Sequence, residues 1–205
     1  MPPLLIIISS PSGAGKSTLC KMLVENNPQI KLSISATTRV PRQSETHGKH
    51  YFFISQDKFK DMLQSEEFIE HATVFENSYG TPKKEVEKQL EDKNSVLFDI
   101  DWQGARQVVK KFNKEQVLSF FILPPSMEEL QKRLKTRAED SEEVVLKRMQ
   151  KAKNEMSHFD EYDHILINDN LSETYQQIIH LINSPKHLNP SNKDKVSPFV
   201  HQLLK

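Results

Sequence analysis

Ser10-Pro11-Ser12-Gly13-Ala14-Gly15-Lys16-Ser17 is the stretch of this 205-residue chain best suited to chemistry. Its spacing is that of a phosphate-binding loop, G-x-x-x-x-G-K-[ST], with Ser10 in place of the first glycine. Small residues let successive backbone N–H groups curl around a polyphosphate. The N-terminus of the helix that follows adds positive potential. Lys16 is placed to reach the β- and γ-phosphates, and the Ser17 hydroxyl to coordinate Mg²⁺. Cys20, one turn beyond Lys16, reads as a small buried hydrophobe rather than a redox group.

A second source of phosphate ligands is the arginines. Only six of the 28 Lys and Arg residues are arginine: Arg39, Arg42, Arg106, Arg133, Arg137 and Arg148. Lysine therefore meets the general need for surface charge, and each arginine is a candidate for bidentate phosphate binding. Arg39 and Arg42, followed by Tyr51, suit a phosphate well away from the glycine-rich loop. Arg133 and Arg137 lie at i, i+4 and share a helix face, with Arg148 on the next helix. Three guanidiniums on a helical hairpin suit a lid over transferring phosphates. His47 and His50 have no further ligands clustered with them and read as loop residues rather than a metal site.

The elements that must position these groups follow from hydrophobic patterning. Leu4–Ile8 is an unalternating apolar run, the mark of a strand buried on both faces. A helix from Lys16 to Asn26 follows, then a strand at Lys31–Ile34. Short alternating strands are expected near Tyr51–Ile54 and Phe68–Phe75. One helix is capped by Ser55, with Phe59, Met62 and Leu63 inward; another is expected to be capped by Thr81, with Pro82 at its first position. Buried strands return at Val96–Ile100 and Val117–Leu123, the first followed by a helix to Phe112. Ser126 with Glu129, and Asp140 with Glu143, form capping boxes for two further helices, the second running through Met156. Ile165–Ile167 and Leu171–Ile182 give a last strand and helix. Strands alternating with helices imply an α/β fold with a central parallel sheet covered on both faces. Residues 184–205, rich in Lys, Asn, Pro and Ser, read as a mobile tail in which Phe199, Val200, Leu203 and Leu204 form at most one docked turn. Lys83-Lys84 and Lys110-Lys111 read as solvated helix faces.

Composition narrows the class. Equal numbers of basic and acidic residues, 28 each, give a formal net charge of zero and argue against a nucleic-acid or anionic-membrane coat. A single cysteine excludes an intramolecular disulfide framework and Cys-rich zinc sites. No apolar run nears the ~20 residues needed to span a bilayer, and Leu4–Ile8 is too short for a secretory segment. A cytoplasmic location is the expectation.

The whole chain from about Pro3 to Asn183 resembles the guanylate kinases, of the P-loop nucleoside monophosphate kinase group. The motifs are Ser-Gly-Ala-Gly-Lys-Ser-Thr (12–18), Ser-Ala-Thr-Thr-Arg-Val-Pro-Arg (35–42), Glu-Thr-His-Gly-Lys-His-Tyr (45–51), Phe-Ile-Glu-His-Ala (68–72), Tyr-Gly-Thr (79–81), Asp-Ile-Asp-Trp-Gln-Gly (99–104) and Asn-Asp-Asn (168–170). The resemblance implies a domain over 3–183. Its core is 3–34, 96–126 and 158–183, its inserted GMP-binding subdomain 35–95 and its helical lid 127–157; the tail is 184–205. It implies Mg²⁺-dependent transfer of the ATP γ-phosphoryl group to GMP, and expects dGMP as a further acceptor. ATP would lie on Ser10, Pro11, Ser12, Gly13, Ala14, Gly15, Lys16, Ser17 and Thr18, with Asn168 near the adenine and Ser17 on the metal. Lys16, Arg133, Arg137 and Arg148 would act on the transferring phosphates. Arg39, Arg42, Tyr51 and Tyr79 would hold the GMP phosphate; Ser35, Glu70, Thr81 and Asp101 would face the guanine.

Guanine chemistry agrees with that assignment. Guanine presents N1–H and a 2-amino group, both donors, and a carboxylate such as Glu70 or Asp101 accepts from them. Two rival readings are weaker. Asp101-Trp102-Gln103-Gly104 fits the Asp-x-x-Gly element of GTPases, but Asn192-Lys193-Asp194-Lys195 misses the matching Asn-Lys-x-Asp by one position. A guanylate-kinase-like scaffold for peptide binding could dispense with the phosphate chemistry, whereas Lys16, Ser17 and the arginines are all present.

Overall fold

The computed structural model describes residues 2–74, 76–137, 142–185 and 191–205, and only the backbone at 136, 137 and 142–144. The expected capping residue Asp140, the side chain of its partner Glu143 and the strand-end residue Phe75 lie outside the described residues.

Five parallel strands make the core sheet: β1 (Leu5–Ser9), β2 (Ile30–Leu32), β7 (Ser95–Asp99), β8 (Val117–Leu123) and β9 (His164–Ile167). Their order is β2-β7-β1-β8-β9, so β1 is central. Every residue of β1 and of β8 is buried, as their unalternating apolar composition requires when helices cover both faces. One face packs against α1 (Lys16–Asn26) and α7 (Leu171–Asn183) through Leu19, Cys20, Leu23, Ile178 and Ile182. The other packs against α4 (Trp102–Lys111), α5 (Met127–Arg137) and α6 (Glu142–Met156). The chain leaves β1 at the point where successive connections turn to opposite sides of the sheet. That switch point is where open α/β sheets form a ligand crevice.

The insertion between β2 and β7 carries its own four-stranded sheet, ordered β4-β3-β6-β5, with β3 (Ala36–Thr37), β4 (Phe52–Phe53), β5 (Phe68–Val74) and β6 (Asn77–Pro82). Helix α2 (Gln56–Gln64), capped by the Ser55 side chain, closes a small core in which Phe59 stacks on Phe68 with ring centroids 4.7 Å apart. Helix α3 (Lys83–Glu91) leads back to β7.

Three sequence expectations are corrected. Thr81 does not cap α3: β6 runs through Pro82, which takes the cap position, and the Thr81 hydroxyl is turned inward to Glu70. Lys111 is not simply a solvated lysine, because its ammonium donates to the backbone carbonyls of Phe68 and Ile69 and ties α4 to β5. The tail is not one loose turn. Residues Lys193–Leu204 form helix α8, with Val200 and Leu203 buried against the core. Just before it, the Asn192 amide donates to the Ile165 carbonyl at 2.7 Å and accepts from the Ile165 N–H at 2.9 Å. One side chain thus satisfies both backbone groups of Ile165 on the edge strand β9. Pro198 in the second turn costs a backbone hydrogen bond, which the packing of Val200 and Leu203 offsets.

Candidate active site

A cleft of about 310 Å³ opens between the two sheets. It is lined by the phosphate loop on one side, by Ser35, Tyr51, Glu70 and Tyr79 on the other, and by Asp99 and Asp101 between them. The phosphate-loop side is built from the end of β1. Gly15, immediately before α1, has φ 98°, a left-handed conformation that a side chain would strain, and a Cβ there would collide with the Asn168 amide. The Lys16 ammonium pairs with the carboxylate of Asp99, the last residue of β7. Asp99 stands beside Ile8 in the sheet, so two adjacent parallel strands deliver the loop and this carboxylate to one place. Ser17 also lines the cleft.

Asn168, expected near the adenine, is buried, and its Nδ2 donates to the Ala14 carbonyl at 2.7 Å. It acts as a strut behind the phosphate loop. The amide reaches that position because the Asn168 N–H donates to the Leu123 carbonyl at 2.8 Å, continuing the β8–β9 pairing.

On the opposite wall, Glu70 is 3 % exposed, and its Oε1 accepts from the Thr81 hydroxyl at 2.6 Å across β5 and β6. The Ser35 hydroxyl lies 3.3 Å from that of Thr81, completing a chain of polar groups. Burial pushes the Glu70 carboxyl up to about 7; the Thr81 hydroxyl opposes the rise and the Asp101 charge adds to it. Gly104 lets α4 approach so closely that a Cβ there would strike Glu70 Oε2. Asp101 caps α4, its Oδ1 accepting from the Gln103 and Gly104 N–H groups at 3.0 and 3.1 Å. Strand β5 is fixed to α4 by Gln107, whose side chain pairs with both backbone groups of His71.

Toward the rim, Tyr51 and Tyr79 meet edge-on at 6.0 Å, and the Arg39 guanidinium lies 5.5 Å from the Tyr51 ring centre. Glu45 grips Arg39 through two bonds of 2.7 and 2.9 Å and accepts from the Arg42 N–H at 2.8 Å. This bond to Arg39 holds the Glu45 carboxyl below its usual range. His47 and His50 brace the loop, each accepting a backbone N–H through Nδ1, from Phe53 and Thr46 respectively. Cys20 is buried, and burial raises its thiol to about 11, so it stays protonated.

The lid residues are not brought into the cleft as a group. Arg133 bonds Glu129 at 2.9 Å and the Asn168 carbonyl at 3.3 Å. Arg148 does not line the cleft, and the side chain of Arg137 lies outside the described residues. The lid residues that do line it are Lys151 and Glu155. Glu155 Oε2 accepts from the Ser12 N–H at 3.2 Å. Sequence reasoning missed Asp99, Lys151 and Glu155; of these only Asp99, closing an apolar strand, left a local signal. Trp102, from which the sequence yielded nothing, stacks on His158 at 3.8 Å and carries Arg106 on its ring, with Arg106 gripping Glu161. That stack fastens the foot of the lid to α4.

As a donor set, the Ser17 hydroxyl and the Asp99 carboxylate are hard oxygens beside the loop and fit Mg²⁺, which keeps most of its waters and takes few protein ligands. Among the described residues no group of three His, Cys, Asp or Glu forms a metal cage, and no helix is long and apolar enough to cross a membrane.

Comparison with known proteins extends these observations. The family model described as guanylate kinase matches residues 3–185. The guanylate kinase of Rhodopseudomonas palustris strain HaA2 is 46% identical over 200 residues, covering 98% of this chain and 90% of that protein. That of Rickettsia bellii strain RML369-C is 51% identical over 175 residues, covering 85% of this chain and 91% of that protein. The crystal structure of guanylate kinase from Anaplasma phagocytophilum superposes with a TM-score of 0.73 at 36% identity, covering 88% of this chain and 84% of the other.

Proposed function

The chain belongs to the guanylate kinase family, and from that premise we propose how its residues carry ATP:GMP phosphotransfer. The observation that carries the reading is that one cleft has a phosphate loop on one wall and a buried carboxylate on the other. Guanine N1–H and the 2-amino group donate to Glu70, which Thr81 and Ser35 orient. Adenine lacks that pair of donors and would leave a buried carboxylate unsatisfied, a large penalty. Tyr51, Tyr79, Arg39 and Arg42 hold the GMP phosphate at the rim, with Glu45 presenting Arg39 in a fixed fork.

The ATP phosphates lie along 10–18, with Lys16 transferred from Asp99 to the β- and γ-phosphates. Ser17 and Asp99 would hold Mg²⁺, which supplies charge neutralisation between those phosphates. A GMP phosphate oxygen attacks the γ-phosphorus in line; the new O–P bond forms as the bond to the β-phosphate oxygen breaks, giving GDP and ADP. No general base is required, because the second pKa of the phosphate is ~6. Residues 35–95 and the lid, 127–157, close to exclude water and deliver Arg133, Arg137 and Arg148 to the phosphates.

The test is ADP production with GMP, dGMP, AMP, UMP and dTMP as rival acceptors. Turnover with GMP and dGMP and little with the others is expected; equal turnover with AMP would remove the role of Glu70.

A further inference from the structure

We propose that Glu155 is the chain's own competitor for a nucleotide phosphate: its carboxylate holds the Ser12 N–H of the phosphate loop until an incoming triphosphate displaces it and takes over Lys151. The inference rests on the reading of residues 10–18 as the ATP phosphate site.

Glu155 lies in the last turn of α6, yet its Oε2 accepts from a backbone N–H 143 residues away, at 3.2 Å. The donor belongs to a loop whose N–H groups are arranged for oxyanions. A carboxylate oxygen offers such a donor an anionic acceptor, as a phosphate oxygen does. Glu155 is 13 % exposed, lines the nucleotide cleft and pairs with Lys151 at 3.7 Å one turn earlier. Burial raises its carboxyl above the usual range, against the pull of Lys151, the Ser12 N–H and Lys16. The group is therefore held at some desolvation cost in a position where phosphate would be bound.

Spacing makes the exchange a lid movement. Arg148, Lys151 and Glu155 stand at i, i+3 and i+7 of α6 and share one face. Lys151 and Glu155 line the cleft while Arg148 does not. A triphosphate that takes the Ser12 N–H repels Glu155 and attracts Lys151. The same face then turns its basic part inward, bringing Arg148 toward the phosphates. Sequence alone shows Lys151 and Glu155 as an ordinary i, i+4 pair, worth little on an exposed helix; the contact with Ser12 gives it a function.

Calorimetric titration of the full chain with inorganic tripolyphosphate, and separately with GMP, tests the exchange. Glu155→Gln keeps the shape but removes the competing charge, and should bind tripolyphosphate about 3- to 10-fold more tightly. Lys151→Met should bind it more weakly by a similar factor. Neither should change GMP affinity. Opposite signs are diagnostic, since a loosened lid would move both variants the same way. Tripolyphosphate binding by Glu155→Gln that is unchanged or weaker, both variants shifting together, or an equal shift in GMP affinity would each overturn the proposal. If the wild-type chain does not bind tripolyphosphate, the phosphate-loop reading falls as well.

Discussion

The Thr81 hydroxyl donates to Glu70 Oε1 at 2.6 Å, joining adjacent strands of the inserted sheet at the wall of the cleft opposite the phosphate loop. That bond turns one oxygen of Glu70 toward β6, while Oε2 lies close against Gly104 of α4. It also sets an electrostatic tension, because burial and the Asp101 charge raise the carboxyl to about 7 against it.

A pH dependence follows, with a definite sign. Guanine donors require the carboxylate, so below pH about 7 GMP must bind with loss of a proton from Glu70. The KM for GMP should rise as pH falls below 7, approaching about tenfold per unit, while the KM for ATP follows its own titration. Stability runs the opposite way. A carboxyl whose pKa is raised on folding stabilises the fold below the ordinary value of 4.5 and loses that contribution as pH rises through about 7. Denaturant unfolding of wild type and Glu70→Gln across pH 4–8 measures it; only the wild type should show the loss.

Asn168 gives a second prediction. Its amide supports Ala14 at the back of the phosphate loop, and replacement by Asp sets a carboxylate against a carbonyl oxygen. The variant should lose about 1–3 kcal/mol of ATP-site organisation, seen as a fall of about 5- to 150-fold in kcat/KM for ATP. The KM for GMP should hold. Steady-state kinetics with each substrate varied in turn check it.

Helix α8 yields a stability prediction. Leu203 is 6 % exposed and packs in the larger core cluster. Leu203→Ala should cost about 2–4 kcal/mol and lower the Tm by about 5–15 °C, with both KM values retained. Calorimetry of the full chain measures it; an unchanged Tm would mean that α8 adds nothing to the core.

What the sequence discloses, and what it hides, divides along local and long-range physics. Residues 10–17 were legible because the loop chemistry is local: small residues, then Lys and Ser, after an apolar strand. The inner core strands β1, β7 and β8 were legible because a strand buried on both faces is apolar almost throughout. Glu70 was legible only through resemblance and guanine chemistry, since an alternating segment also allows an exposed carboxylate. The Glu155 contact with Ser12 and the Asn192 clasp on Ile165 were hidden, because each joins residues across a sequence distance that no local pattern encodes. Thr81 misled for the same reason: a hydroxyl before proline at a helix start is a good cap, and burial beside Glu70 outbid it. The tail hid its helix behind Pro198 and a polar composition, although its apolar residues already stood at helical spacing.

The central claim is that the two walls of one cleft hold two different nucleotides, and Glu70→Gln tests it most directly. The amide keeps the shape of the side chain but presents a neutral acceptor, or a donor, to the base. With both substrates varied, kcat/KM for GMP should fall about 10- to 150-fold, the equivalent of about 1.5–3 kcal/mol for a lost charge-assisted pair, while the KM for ATP stays put. A variant in which the ATP KM rises and GMP is spared would contradict the account and place the nucleotides the other way round.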